Sequence, residues 1–300
     1  MSGPPSDPPR PWPSSPAPSP RSVFAGGGEM AALMRGHDWA ATPLGPVDGW
    51  PRSLTSLVRT MLASRYPMIL LWGPNLLQFY NDAYSGLIGD KHPAALGADI
   101  RGTMPEAWGT LGPMIDEVLA SGVANWTPAL PLVLERAGYR EESYFSVSHA
   151  PAEDDEGRIA GMFGVCSEVT QQILGERRLR LLRDLAARAG ETRSVDTTCR
   201  DLVRTIAAHP LDVPFALIYL RRLDGGLDLR TAVGLPVDGA TGETGADPAG
   251  DGAPWPLARV AAGETVVIDD VERVATVPGG PWGEPVRHAL AMPIASSGQT

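Results

Sequence analysis

Between Pro67 and Ser167 short β-type runs alternate with helical ones, and that order restricts the chain to an antiparallel sheet packed against helices. Met68–Trp72, a Gly73-Pro74-Asn75 turn and Leu76–Tyr80 spell a hairpin. Asn81-Asp82 can cap a short helix over Ala83–Ile88, because a short polar side chain accepts from the free amides of a first turn. Met114, Ile115, Val118 and Leu119 stand at helical spacing, which predicts a helix over Gly112–Ser121. Three strands follow, Val123 to about Leu134, Glu142–Ala150 and Ile159–Ser167, the last two joined by the acidic turn Glu153–Gly157. The expected class is α+β, a five-stranded antiparallel sheet with helices on one face.

Residues 1–22 are mostly Pro and Ser, lack the apolar core of a secretory signal, and read as a disordered tail. Residues 23–64 read as a helical lead-in. Glu29–Arg35 forms one helix; after a Pro- and Gly-rich loop from Thr42 to Pro51, Leu54, Leu57, Val58, Met61 and Leu62 make the stripe of a second. After Thr170 the pattern turns helical over residues 171–189, with Leu179, Leu182, Ala186 and Ala189 spaced by threes and fours amid arginines. That stripe suits pairing with a copy of itself, and equally an amphipathic helix packed on its own domain. In residues 190–300 a helix over Val195–Ala208 precedes a hairpin, Phe215–Leu220 and Leu229–Val233 about an Asp224-Gly-Gly226 turn. A loop from Leu235 to Pro254 leads to a helix over Trp255–Ala261 and strands at Thr265–Asp269 and His288–Ile294.

With 300 residues, a net charge of −10 and a pI near 5.0, the chain has room for two domains and lacks the basic surface that phosphate neutralisation requires. No nucleic-acid partner is expected. Its longest apolar run, Met68–Trp72, is far short of the roughly 20 residues that span a bilayer, so cytoplasmic residence without membrane contact is expected. Cys166 and Cys199 cannot make a disulfide framework or a thiolate metal site. Cys166 reads as a buried, inert thiol, since Glu168 beside it gives no electropositive help. His37, His92, His149, His209 and His288 stand apart with no i, i+4 pair, so no metal centre is expected; His92 in its loop reads as solvated. Gly26-Gly-Gly28 reads as a helix lead-in, Asp269-Asp270 as solvated carboxylates, and no Gly-x-Ser-x-Gly elbow occurs. No catalytic residue is assigned.

Gln78-Phe-Tyr-Asn-Asp-Ala-Tyr84, a strand running into a helix, and the closing strand ending Glu168-Val-Thr170 resemble a PAS sensor domain over residues 65–170. The resemblance implies a space between sheet and helices, for which Phe79, Tyr80, Asn81, Tyr84, Trp108, Trp126 and Phe163 are the candidate pocket residues. Either a small molecule or simply packed side chains fills it. Flavin-binding relatives use an Asn-Cys-Arg-Phe-Leu-Gln stretch where this chain has Asp99-Ile-Arg-Gly-Thr-Met104, so no cofactor is predicted.

Pro214-Phe-Ala-Leu-Ile-Tyr-Leu220 and Ala289-Leu-Ala-Met-Pro-Ile294, stopping at Ser296–Gln299, resemble an incomplete GAF-like α+β domain over residues 190–300. Cys199 does not sit where bilin-attaching relatives would want it.

A PAS-like domain, a signalling helix and a GAF-like domain are together similar to the input region of a soluble bacterial sensor histidine kinase. That resemblance implies a homodimer through the connector helix, a downstream kinase output domain and a response regulator. Glu168, Thr170, Leu179 and Leu182 are the candidate signal-transmission residues. The same inputs precede PP2C-type phosphatases and cyclic-dinucleotide enzymes, and a ligand-free protein-interaction module is a further alternative.

Overall fold

The computed structural model describes residues 23–189, 194–235, 255–273, 277 and 285–294; the expected tail, the loop residues 236–254 and Ser296–Gln299 lie outside them. The chain divides into two compact units, Met1–Ile173 and Leu174–Thr300.

The first unit is built on five antiparallel strands, β1 (Met68–Trp72), β2 (Leu77–Tyr80), β3 (Asn125–Glu135), β4 (Arg140–Glu153) and β5 (Ile159–Glu168), in the order β2-β1-β5-β4-β3. Its helices are α1 (Glu29–Gly36), α2 (Arg52–Ala63), α3 (Asp82–Ile88), α4 (Ile100–Thr103) and α5 (Pro105–Ser121). This is the expected α+β class with a five-stranded antiparallel sheet, but its helices are not confined to one face: the lead-in packs on the face opposite α3–α5.

Helix α5 starts well before the expected Gly112. Pro105 occupies its first turn, where a missing N–H costs nothing, and Pro113 is accommodated inside. Gly112 lets the Trp108 indole lie against the backbone, since a Cβ there would stand 2.9 Å from Trp108 Cε2.

Because side chains alternate across a strand, the register sorts the sheet into two faces. Ile69, Tyr80, Val147, His149, Met162 and Cys166 point toward α3 and α5, whereas Leu70, Phe79 and Phe163 point the other way. On the second face the lead-in covers β1 and β2. Trp39 stacks on Phe79 at 4.8 Å and Trp50 meets it edge-on at 5.5 Å, over a bed of Leu54, Val58 and Met61.

Two carboxylates outside the lead-in fasten it. Asp82 Oδ1 accepts from Met30 N at 2.7 Å in the first turn of α1, and Asp155 accepts from Arg52 N and Ser53 N at 3.0 and 2.8 Å at the start of α2. Each carboxylate satisfies free amides at the positive end of a helix. Those amides hold the Asp155 carboxyl below its usual range. Asn81 joins three elements: Nδ2 donates to the carbonyls of Met61, Ser64 and Tyr66, and Oδ1 accepts from Met68 N and Tyr84 N.

In the second unit, β6 (Ala216–Arg221) pairs with β7 (Leu227–Val233) and β8 (Val266–Asp269) with β9 (His288–Ala291), all antiparallel. Strand β9 stops at Ala291 rather than at the expected Ile294. Helices α7 (Val195–Ala207) and α8 (Leu257–Ala261) match the expected ones within a residue or two. Trp255, Leu257, Ile268 and Val271 form its buried centre with Leu235.

The helix between, α6 (Thr170–Ala189), begins one residue after β5 ends. Within the second unit Arg177 Nε donates to Asp212 Oδ2 at 2.8 Å, and His209 Nε2 lies 3.3 Å from Asp184. Leu181 is buried, while Leu179 and Leu182 of the expected stripe are 66% and 61% exposed.

Candidate functional site

Between the sheet and α3–α5 lies a cavity of about 50 Å³, open to solvent on one side. From α3 it is lined by Tyr84, Leu87 and Ile88, and from α4 and α5 by Ile100, Leu111 and Ile115. The sheet contributes Ile69, Leu132, Phe145, Val147, Met162 and, as polar groups, His149 and Cys166. The volume exceeds the roughly 10–15 Å³ that one water requires and is far below the roughly 300–1,000 Å³ of drug-sized pockets. As shaped it holds a molecule of a few non-hydrogen atoms.

Of the seven candidate pocket residues, Tyr84 lines this cavity. Tyr80 faces the same side with its ring 5.8 Å from that of Tyr84, and its hydroxyl lies 3.1 Å from His92 Nδ1. Burial, and then Glu29, pushes the Tyr80 phenol up to about 12. Asn81 is a structural junction. Phe79 and Phe163 are on the opposite face of the sheet, Trp108 packs beside Gly112 under the Arg101 guanidinium, and Trp126 is 67% exposed. The phase of each strand decides these placements. Phe163 stands opposite Leu70 and Ala150, one residue out of step with inward Met162, and β3 changes register between Thr127 and Leu130.

His149 is not among the candidates, although it continues the inward series Phe145, Val147 on β4. The residue is 3% exposed, and burial drives its pKa down to about 4, so it is neutral at pH 7. Cys166 is buried too, and burial pushes its thiol up to about 12, the inert state expected of it. Burial, then Cys166 and Tyr80, raises the Tyr84 phenol.

Arg136, in the turn between β3 and β4, is the second residue that sequence reasoning misses. Nη1 donates to the carbonyl of Leu87 at 2.9 Å, at the end of cavity-lining α3. Nη1 and Nη2 also hold Glu168 in a bidentate pair at 2.9 Å each, and Nε pairs with Glu141. The Arg136 hydrogen bonds hold the Glu168 carboxyl below its usual range. Glu168 Oε1 accepts in turn from Thr170 Oγ1 at 2.8 Å, and Thr170 Oγ1 accepts from Tyr144 N at 3.0 Å. Gly89, at φ +52°, lies against the Arg136 carbonyl, which a Cβ would strike. No local pattern announces Arg136, because the partners that give it its role, Leu87 and Glu168, are far away in sequence.

Among the described residues no group of three or more His, Cys, Asp or Glu is arranged to hold a metal ion, and no helix is long and apolar enough to cross a membrane.

No protein-family model matches the chain, and no curated protein matches it either. Solved structures of similar shape include the PAS domain of a Colwellia psychrerythraea protein, 9% identical over 39% of this chain and 98% of that one, with a TM-score of 0.32. They also include the Rhodobacter sphaeroides LOV protein, 13% identical over 53% and 93%, with a TM-score of 0.34. A third is a sensory box sensor histidine kinase from Vibrio cholerae, 17% identical over 40% and 92%, with a TM-score of 0.28. Scores this low carry no weight for function, and the PAS-like character of the first unit stands on its own sheet and helices.

Proposed function

We propose that residues 65–170 are a PAS-type sensory domain that converts the state of its cavity into a change at the start of α6, as the input region of a sensor histidine kinase. The second unit, read as GAF-like, and an output domain would receive that change. One observation carries the reading: the Arg136 guanidinium touches both the cavity wall, through the Leu87 carbonyl, and the Glu168–Thr170 pair at the start of α6. A movement of α3 therefore strains the same side chain that fixes Thr170. A ligand shifts such an equilibrium only as far as it binds the two arrangements unequally.

Hydrogen exchange of the full chain with Arg136→Gln tests this coupling. Faster exchange is expected both around Leu87–Asp90 and around Val169–Ile173; an unchanged rate at either end removes the proposed link. The exposed Leu179 and Leu182 further support pairing of two α6 helices. Sedimentation of the full chain is expected to give a dimer that Leu179→Glu with Leu182→Glu splits, and a monomer at about 100 µM overturns the pairing.

A further inference from the structure

The His149 imidazole is buried in unit 1 without a hydrogen-bond partner for either ring nitrogen among the described residues, and its Nδ1 is wholly enclosed. Asn125 stands directly opposite it in the β3–β4 register. The Asn125 Nδ2 donates to the Met114 carbonyl at 2.9 Å, and its Oδ1 is enclosed and unpartnered. Opposed residues of neighbouring antiparallel strands share a face, with Cβ atoms about 4.5–5.5 Å apart. On the other flank Gly164 is the register partner of His149. A Cβ at 164 would stand 2.9 Å from Ile69 Cγ2 and 3.4 Å from His149 Cδ2, so the missing side chain makes room for the ring.

Resting on the sensory reading above, we propose that His149 forms the polar end of the cavity and selects a small neutral molecule carrying a hydroxyl on an apolar body, an alcohol or a phenol. A neutral imidazole offers one donor and one acceptor, and with Nδ1 enclosed the ring meets a ligand through Nε2, as donor or acceptor according to its tautomer. A hydroxyl both donates and accepts, so it satisfies that nitrogen in either tautomer where a purely apolar molecule leaves it unmet. Among the described residues no Lys or Arg lines the cavity, so a carboxylate would enter without a counter-charge. The remaining walls are aliphatic and aromatic. Met104 and Met162 provide adjustable surface, and the open side lets a ligand extend beyond the enclosed volume.

Methyl-labelled full-length protein titrated with phenol, benzene, 1-propanol and propionate, followed by NMR, provides the test. Phenol is expected to bind about tenfold tighter than benzene, and 1-propanol tighter than propionate, with shifts at Ile69, Ile115 and Met162. His149→Leu and His149→Phe are each expected to reduce phenol to the level of benzene; the second variant carries the comparison if the first does not fold. Equal binding of phenol and benzene, or a preference that survives both substitutions, overturns the hydroxyl selection and leaves a non-selective cavity. No shift with any of the four overturns the ligand-sensing reading as well.

Discussion

The two faces of the five-stranded sheet are finished in opposite ways. Against β1 and β2 the outer face is closed by Trp39 stacked on Phe79 and Trp50 set edge-on to it, and both indole N–H groups are satisfied by the Met34 and Gly45 carbonyls. The inner face is mostly aliphatic, keeps open volume, and buries His149 without a partner among the described residues. A filled, fully bonded surface contributes stability, whereas an open one with an unmet polar group forgoes some of it. The difference marks the outer face as scaffold and the inner face as the place where something can be exchanged.

The largest expected effect breaks the scaffold. Trp39→Ala removes the centre of the aromatic stack and is expected to cost about 3–5 kcal/mol, read from denaturant unfolding of unit 1, whereas Leu111→Ala beside the cavity falls below that range. Acid probes the inner face next. The His149 pKa is about 4 in the folded protein, against 6.5 for a histidine free in water, so the unfolded chain takes up its proton first as pH falls. Stability is therefore lost between about pH 6.5 and 4, by up to about 3 kcal/mol, and does not change from this source above that window. His149→Leu should abolish that segment of the profile; an identical slope in the variant assigns it to other groups. At pH 7 the same substitution exchanges an unmet polar ring for an apolar side chain and is expected to stabilise by about 1 kcal/mol. A loss of more than about 1 kcal/mol would mean the ring is satisfied after all.

Much of this architecture is legible along the chain. The hairpin at Met68–Tyr80, the Asn81 cap and the three later strands all rest on local signals, alternation and turn residues, and the structure follows them closely. Asn81 shows the limit: its cap of α3 is local, but its bonds to Met61, Ser64 and Tyr66 need the lead-in folded back. The candidate pocket rests on residue type, aromatics near the expected space, and type does not reveal which way a strand residue points. Trp126 and Phe163 fall outside the cavity for that reason, while His149, at an inward position, reads along the chain as one of five scattered histidines. The early half of α5 is hidden by Pro105 and Gly109, which interrupt its pattern, and the role of Gly112 shows only when Trp108 is seen to need the space.

Val169 alone separates the end of β5 from the start of α6, and its N–H is bonded to the Tyr144 carbonyl. There is no slack in that joint to absorb a change of length. One extra residue placed just inside the helix would turn everything downstream by about 100° and advance it about 1.5 Å, while four would restore the facing to within about 40°. A ladder of such insertions would thus give an output that rises and falls with helical phase, rather than fading steadily with added length.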